Sequence, residues 1–521
     1  MSASNLIDSL QSPDCYPHPV HHLRVVETHI SWVILTGEFA YKIKKPVKLS
    51  FLDFSTLENR KSFCEEEVRL NRRLAPTVYL GVVPLCGSPS APKVGGSGKA
   101  FEYAVHMRQF DSSQEFPELL KRGEIDVRLL GNLAERLAGF HGDIAVAGPE
   151  TFYGSPDVIW KPVAECLEEM PLEWLPADLT ESYEDLGRWC HREWVSLQPQ
   201  FLKRKEDGSI RECHGDLHLR NIAVAEGAVC IFDALEFEPR LRWIDVISEV
   251  AFLVMDFEVH GRSDLAYNVL NRYLEKTGDY EGMRIFRFYE VYRALVRAKV
   301  TGLRLGQMSR THPDWAGYFD EWIGYLKLAI RLRQERTAGI VLTHGVSGTG
   351  KTTVSSKLLQ ALCAMRIRSD VERRRIVARP SYGQETPDSY SPSMTQATYD
   401  RLAVLTESLV AAGFLTIVDA TFLRRTDRQA FAQIASRRQI PFYIVDVTAP
   451  ESVRSRRIER RREAETDASE ATVSVMHKQV EQDEAFGNEE QSAVISIDST
   501  REDSLQSAIQ QLSRLLKVRP S

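Results

Sequence analysis

Residues 339–353, GIVLTHGVSGTGKTT, combine an apolar run, a glycine-rich turn and the polar start of a further segment. The run has the composition of a buried strand, and the residues after the turn have helical spacing. A strand, a G-x-x-x-x-G-K-T turn and a helix in this order form a P-loop, whose backbone N–H groups surround phosphates. Lys351 is predicted to reach the β- and γ-phosphates, and the Thr352 hydroxyl to bind Mg²⁺. The predicted phosphate-binding residues are Gly345, Gly348, Gly350, Lys351, Thr352 and Thr353.

A second apolar run, FLTIVDATF at residues 414–422, ends in an aspartate, Asp419, which is followed by Ala420. A P-loop motor places a water-activating carboxylate, usually Glu, beside this aspartate. Because alanine cannot activate water, the sequence favours transfer to a bound acceptor over mechanical ATP hydrolysis. Asp419 is predicted to organise the Mg²⁺ side of the site.

The acceptor side is predicted from MRIRSDVERRR, in which Asp370 follows a short strand and Arg373 comes one turn later. An aspartate there can deprotonate a hydroxyl, and an arginine can hold an anionic part of the acceptor. Arg457 and Arg461 are four residues apart and share a helical face, as expected of a lid that lays arginines across the transferring phosphate. The alternative is a solvated basic helix, paired with its own glutamates.

An upstream segment, HGDLHLRN at residues 214–221, has the Asp-to-Asn spacing of the protein-kinase catalytic loop. An apolar strand ending in Asp233 follows it. Asp216 is the predicted base for the acceptor hydroxyl, and Asn221 and Asp233 are the predicted Mg²⁺ ligands. The similar string HGDIAVAG at residues 141–148 has glycine where the asparagine should stand, so it is predicted to be a helix terminus.

A kinase-type site also needs a lysine for the α- and β-phosphates and a helix glutamate to fix it. FAYKIKK, in the strand-rich N-terminal part, offers Lys42 first and Lys44 second, both on one face of a strand. Glu67 is the first choice of partner and Glu66 the second. Between Val25 and this strand the sequence has one glycine, so the usual glycine-rich cover is absent.

The strings HGDLHLRNI, IFDALEF and WIDVISEVAFL together resemble the aminoglycoside phosphotransferase family, over about residues 20–335. The resemblance implies a bilobal protein-kinase-like fold in which Asp245 braces the catalytic loop. Residues 338–500 resemble P-loop kinases of the polynucleotide kinase and zeta-toxin type, which implies the roles given above for Asp370, Arg373 and Asp419. The tandem is similar to bacterial proteins described as fused aminoglycoside phosphotransferase-like and ATP-binding proteins.

Length and composition agree with two domains, predicted at residues 1–335 and 338–521, of α+β and α/β class respectively. The chain has 66 Lys and Arg against 72 Asp and Glu, a net charge of −6, so no global basic field attracts nucleic acid. Eight scattered cysteines, no leader-like N-terminus and no apolar run long enough for a bilayer predict a soluble, cytoplasmic protein without a membrane partner.

The sequence therefore predicts two ATP- and Mg²⁺-dependent kinase modules acting on hydroxyl acceptors. The expected C-terminal acceptor is a nucleic-acid 5′ end, a nucleotide or another anionic small molecule, because arginines at positions 366, 368, 373–375 and 379 cluster beside the predicted pocket. Two alternatives remain open: a single P-loop kinase regulated by an N-terminal pseudokinase, and a nucleotide-dependent binding protein.

Overall fold

The computed structural model describes residues 3–49, 52–334, 338–378, 391–464 and 472–518, without the side chains of residues 3–4 and 461–464. Contacts along the chain divide it into two compact units. Unit 1 contains Met1–Ala164 and Phe201–Asp256, and unit 2 contains Glu165–Gln200 and Phe257–Ser521. The domain boundary near residues 335–338, drawn from sequence pattern, stays a prediction.

The elements are numbered in chain order. The strands are β1 (Arg24–Glu27), β2 (Ser31–Leu35), β3 (Phe39–Lys44), β4 (Lys48–Leu49), β5 (Leu52–Asp53), β6 (Tyr79–Ser88), β7 (Ala91–Val94), β8 (Glu102–Arg108), β9 (Ile210–Glu212), β10 (Ile222–Ala225), β11 (Ala228–Ile231), β12 (Trp243–Asp245), β13 (Gly339–His344), β14 (Met365–Arg368), β15 (Leu415–Asp419), β16 (Phe442–Thr448) and β17 (Val494–Asp498). The α-helices are α1 (Ala3–Ser9), α2 (Leu57–Asn71), α3 (Phe116–Arg122), α4 (Val127–Asp143), α5 (Pro156–Glu168), α6 (Thr180–Glu206), α7 (Pro239–Arg242), α8 (Val246–Val259), α9 (Ser263–Thr277), α10 (Met283–Gly306), α11 (Trp315–Leu332), α12 (Lys351–Leu362), α13 (Ser369–Val377), α14 (Pro392–Ala411), α15 (Arg425–Arg438), α16 (Glu451–Ala464), α17 (Val473–Glu481) and α18 (Glu502–Leu515).

Unit 1 contains a six-stranded antiparallel sheet in the order β1-β2-β3-β8-β6-β7. Strands β2 and β3 form a hairpin, which pairs from Ser31↔Lys44 to Leu35↔Ala40. The glycine-, serine- and proline-rich residues 87–100 contain β7, which pairs with β6. Pro92 and Val94 are its buried positions, and a proline is tolerated because β7 is an edge strand.

Helix α2 carries Glu67 of the N-terminal site, and helix α4 carries the second His-Gly-Asp string. Helix α2 begins after Thr56, whose hydroxyl accepts a hydrogen bond from the N–H of Asn59, and it packs on β6 and β8. This packing buries Glu67 completely. Helix α4 buries an apolar face and ends at Asp143, so HGDIAVAG marks a helix terminus as predicted.

Unit 2 contains a five-stranded parallel sheet in the order β14-β15-β13-β16-β17. Every residue of β13 and β15 is buried, as expected for parallel strands covered on both faces. The central β13 leads directly into the P-loop. The antiparallel sheet with its helices and the parallel sheet that carries the P-loop confirm the predicted fold class, an α+β part followed by a P-loop α/β part. Within the described chain, no helix combines the length and apolar character needed to cross a membrane.

Candidate active sites

The P-loop lies at the carboxyl end of β13 and its geometry requires glycine at two positions with positive φ. A Cβ on Gly345 would lie 2.5 Å from the carbonyl oxygen of Val447, and a Cβ on Gly348 would lie 2.7 Å from that of Arg454. Both separations are far below an ordinary contact, so a side chain at either position would displace backbone. The loop thus turns tightly into the N-terminus of α12, where N–H groups and the helix dipole favour an anion.

Arg457 of α16 lies against this loop. Its Nη1 donates to the carbonyl oxygen of Thr349 at 3.1 Å and to Oγ of Ser499 at 2.9 Å. Helix α16 therefore brings an arginine to the P-loop, in keeping with the lid interpretation rather than a fully solvated helix. The side chain of Arg461, the second predicted lid arginine, lies outside the described residues.

A cavity of about 710 Å³ surrounds the P-loop and is called the P-loop cavity below. The predicted side chains from both the phosphate side and the acceptor side line it together. Those lining it are Gly348, Gly350, Lys351, Thr352, Thr353, Asp370, Arg373, Asp419 and Arg457. Gly345 shapes the loop without lining the cavity. Residues separated by about 100 positions in the chain thus face one space, as the sequence predicted.

The two aspartates of the P-loop cavity have different surroundings. Asp419, at the end of β15, is 5% exposed and accepts a hydrogen bond from Ser355 Oγ at 2.9 Å. Asp370, at the start of α13, is half-buried and pairs with Arg373, whose Nη1 lies 3.0 Å from its Oδ1. Arg373 therefore contacts the predicted base directly. Its predicted contact with the acceptor stays a prediction, and Arg379 lies outside the described residues.

Several side chains in the P-loop cavity were not identified from the sequence: Lys357, Tyr399, Arg424, Asp427, Gln479 and Arg501. Burial raises the pKa of Asp427 above its ordinary value, against the opposing charge of Arg424. Gln479 contacts the P-loop, since its Oε1 accepts from the N–H of Ser347 at 2.8 Å. Arg424 and Asp427 follow shortly after Asp419 in the sequence, and this nearness was the signal that could have placed them in the same site. No local sequence pattern connected Gln479 with the P-loop.

The second site lies in unit 1, where the catalytic-loop residues converge. Asn221 Nδ2 donates to the backbone oxygen of Asp216 at 2.9 Å and lies 3.4 Å from its carboxylate. The N–H of Phe232 donates to the carbonyl of Asn221 at 3.0 Å, so Asp233 comes next to the loop. Asp233 has φ 64°, a strained conformation that aspartate tolerates and that often occurs at functional sites. The three predicted residues therefore lie together.

Two lysines of β3 share one glutamate in this site. Lys42 Nζ lies 2.8 Å from Glu67 Oε1 and 2.6 Å from Asp233 Oδ1, whereas Lys44 Nζ lies 2.7 Å from Glu67 Oε2 and also pairs with Glu236. Lys44 is fully buried, and Lys42 keeps 13% of its side chain exposed beside Asp233. The geometry selects Lys42 as the lysine that faces the site and Lys44 as a buried support.

The pKa values in this cluster follow its charges. Burial alone would lower the pKa of Lys42, but Asp233 and Glu67 raise it well above its ordinary value. Burial alone would raise the pKa of Glu67, but Lys42 and Lys44 hold it below its usual range. Burial raises the pKa of Glu236, and the charge on Glu67 adds to this against the pull of Lys44. Lys42 and Glu67 are therefore charged at neutral pH.

Among the contacts that the structure describes, those that brace the catalytic loop come from residues other than the predicted Asp245. Asp245 is buried and binds Arg204, with an Nε–Oδ2 distance of 2.6 Å. The brace comes instead from α8: Glu249 accepts from the N–H of Gly215 at 2.7 Å, and Asp256 accepts from the N–H of Leu219 at 2.8 Å. Both carboxylates lie in α8, which begins directly after Asp245, the last residue of β12, and no sequence pattern connected them with the loop.

Comparison with known proteins places this chain in a family. Residues 340–485 match a family described as AAA domain. The uncharacterized protein Rv2004c of Mycobacterium tuberculosis is 33% identical over 418 residues, which are 78% of this chain and 80% of that protein. The chain belongs to the Rv2004c family. The matched AAA domain contains the P-loop and most of the residues that line the cavity around it.

Solved structures of kinases share parts of the fold. The amicoumacin kinase hAmiN, in complex with AMP-PNP, Ca²⁺ and Ami, is 10% identical, covers 64% of this chain and 93% of its own, and has a TM-score of 0.39. A gluconokinase from Sinorhizobium meliloti is 21% identical, covers 35% of this chain and 95% of its own, and has a TM-score of 0.25.

The division of labour between the two β3 lysines can be tested in a Lys351→Ala background, which confines ATP binding to unit 1. Lys42→Met is expected to weaken ATP binding there by about 10- to 100-fold, the effect of one charged hydrogen bond. Lys44→Met is expected to lower the free energy of unfolding by about 3–5 kcal/mol, because it leaves buried carboxylates without that ammonium. Isothermal titration and urea unfolding measure the two effects. A stable Lys44→Met protein that has lost ATP binding would reverse the assignment.

His344, the last residue of β13, gives a pH-dependent prediction. Burial lowers its pKa, but hydrogen bonds to Asp446 at 2.8 Å and Asp483 at 3.1 Å outweigh this and raise it above 6.5. A raised folded-state pKa stabilises the fold below about pH 6.5 and the gain is lost as pH rises through the folded value. His344→Gln should therefore cost roughly 1–2 kcal/mol at pH 6 and less at pH 8.5 in urea unfolding. His477→Gln, at an exposed histidine, is the control, and a cost independent of pH would contradict the prediction.

Proposed function

We propose that the chain is an ATP-dependent phosphotransferase with two kinase modules, each of which transfers the γ-phosphoryl group of ATP to a hydroxyl acceptor. The observation that supports this most directly is the composition of the P-loop cavity. Lys351 and Thr352 stand on its phosphate side, and Asp370 stands on its acceptor side. A phosphate cradle and a candidate base facing one cavity suit transfer to a bound molecule.

Both sites have donors that fit Mg²⁺, which prefers oxygen ligands. The Thr352 hydroxyl and the Asp419 carboxylate would hold it in the P-loop cavity, and Asn221 and Asp233 would hold it in unit 1. Once bound, the ion neutralises phosphate charge during transfer. The buried position of Asp419 and its hydrogen bond from Ser355 fix that carboxylate before any ion arrives.

The side chains of the P-loop cavity have separate roles in phosphoryl transfer. Lys351 binds the terminal phosphates, and Arg457 stabilises charge on the transferred group. The acceptor oxygen forms a bond to the γ-phosphorus, while the bond from that phosphorus to the β–γ bridging oxygen breaks and ADP leaves with its electron pair. The hydroxyl proton goes to Asp370, whose carboxylate is oriented by Arg373 at 3.0 Å. In unit 1, Asp216 takes the corresponding role as base and Lys42 that of the phosphate-binding cation.

The acceptor of the P-loop cavity is proposed to be anionic: a nucleotide, a nucleic-acid 5′ end or a phosphorylated small molecule. Arg368, Arg373, Arg424 and Arg501 line the cavity in addition to the residues assigned to ATP. Four guanidinium groups in one cavity favour a ligand with at least one phosphate or carboxylate. The net charge of the whole chain is negative, so this preference would be local to the cavity.

The test uses wild-type protein with Asp216→Asn, Lys351→Ala and Asp143→Asn variants. Each is incubated with γ-labelled ATP and pools of phosphorylated metabolites or of oligonucleotides with 5′-hydroxyl ends. We expect Lys351→Ala and Asp216→Asn to lower two separate transfers, each by at least about 100-fold. Asp143→Asn is the matched control, because it changes the same His-Gly-Asp string at an exposed helix end.

The other outcomes discriminate among functions. Full transfer in both site variants would refute the assignment of both sites. An Asp216→Asn protein with unchanged transfer but an altered response to ligands would show a P-loop kinase regulated by an N-terminal sensor. Labelled ATP that is hydrolysed without labelling any acceptor pool would favour a nucleotide-dependent binding protein.

A further inference from the structure

Helix α9 covers the outer edge of the parallel sheet in unit 2. Strand β14 is an edge strand, whose unpaired backbone groups need partners. Asn271 supplies them: its Oδ1 accepts from the N–H of Arg366 at 2.6 Å, and its Nδ2 donates to the carbonyl of Ala364 at 3.0 Å. One side-chain amide therefore takes the place of a neighbouring strand, and it fixes α9 in register with β14.

One turn further along α9, Glu275 meets the side chains of β14. Arg366 Nη2 lies 2.6 Å from Glu275 Oε1, and Arg368 Nη1 lies 3.6 Å from Glu275 Oε2. Arg366 is 6% exposed and Glu275 is 14% exposed. A guanidinium this deeply buried requires an anionic partner, and Glu275 provides it.

The same two arginines reach the phosphate side of the P-loop cavity. Arg366 Nη1 lies 3.3 Å from the backbone oxygen of Thr352 and 3.2 Å from Ser355 Oγ. Ser355 in turn bonds Asp419 at 2.9 Å, and Arg368 Nε lies 3.8 Å from the same Asp419 oxygen. Ion pairs and hydrogen bonds thus connect Glu275 with the backbone oxygen of Thr352 and with the carboxylate of Asp419, the two residues assigned to Mg²⁺.

We propose that Glu275 is a positioning residue of the P-loop site, an inference that rests on the proposed function of that site. It holds Arg366 and Arg368 in place, and they orient Thr352 and Asp419 for the magnesium–nucleotide complex. Glu275 touches neither nucleotide nor acceptor. It lies 70 residues before Gly345, the first residue of the P-loop motif, and upstream of the predicted domain boundary, so the site extends beyond the segment that carries its motif.

This assignment changes the interpretation of the arginine cluster. Arg366 was grouped from sequence with the acceptor-side arginines, but its guanidinium points to Glu275 and to the start of α12. It therefore serves the phosphate side. Arg368 lies between Glu275 and Asp419 and also lines the P-loop cavity, so it borders both sides.

The experiment measures binding of a fluorescent ADP analogue to the full-length chain as Mg²⁺ is titrated, counting only the component that Lys351→Ala removes. The variants are Glu275→Gln and Glu275→Ala. Loss of outer contacts to metal ligands typically weakens metal binding by 10-fold or more, so Glu275→Ala should raise the half-saturating Mg²⁺ concentration by about 10-fold. Glu275→Gln keeps an oxygen for Arg366 without the charge and should fall between Glu275→Ala and wild type.

Arg284→Ala is the matched control. Arg284, on α10, contacts Ser408 of the P-loop part at 3.4 Å but has no contact with Thr352 or Asp419 among those the structure describes. The Arg284→Ala variant should leave the Mg²⁺ dependence of analogue binding unchanged. Binding of the analogue in EDTA is compared as well. A general loss of structure would weaken both the binding in EDTA and the Mg²⁺-dependent binding. A positioning role for Glu275 leaves the binding in EDTA near the wild-type level.

Three results would overturn the proposal. Glu275→Gln and Glu275→Ala with the wild-type Mg²⁺ dependence would remove the positioning role while leaving the proposed function intact, provided that Lys351→Ala still abolishes its component. An equal shift in Arg284→Ala would assign the effect to helix packing. Nucleotide binding unaffected by Lys351→Ala would refute the proposed function of the P-loop site itself, and the proposal with it.

Discussion

Pairing of buried cations with carboxylates from distant parts of the chain is the constraint on which both sites depend. A buried ammonium or guanidinium is costly unless an anion and further hydrogen bonds surround it. Lys44 in unit 1 is buried between Glu67 of α2 and Glu236 after β11. Arg366 in unit 2 is buried against Glu275 of α9. In each case the ion pair ties a strand that carries site residues to an element that carries none of the reacting groups.

The role of the buried ion pair differs between the two sites because the buried cation lies in a different position relative to the phosphate-binding residues. In unit 1 the shared carboxylate of Glu67 contacts Lys44 on one oxygen and Lys42 on the other. Lys44 thereby fixes the glutamate that in turn directs Lys42 towards Asp233. In unit 2 Glu275 does not line the P-loop cavity. It acts through Arg366, which contacts Thr352, and through Arg368, which contacts Asp419. A carboxylate thus organises a phosphate-binding cation in one site and predicted metal ligands in the other.

The sequence predicted the parts of both sites that are encoded locally. The P-loop, the Asp216–Asn221 spacing and the strands before Asp233 and Asp419 are short patterns, and the structure has them as predicted. Partners remote in sequence were predicted less well. Glu236 binds Lys44, which lies 192 residues before it in the chain. Glu249, Asp256 and Glu275 were not identified, since no local sequence pattern names the partner of a buried carboxylate on a helix.

The contacts of α9 show that the P-loop site depends on a part of the chain that precedes its motif. A fragment that began at residue 338 would retain the whole P-loop motif, the parallel sheet and all the residues assigned to ATP. It would lack Asn271, so the backbone of β14 would lose the amide that covers its edge. It would also lack Glu275, so Arg366 would keep hydrogen bonds to neutral oxygens but no carboxylate. The upstream helices are therefore part of the structure that sets the P-loop site, whatever chemistry the first site performs.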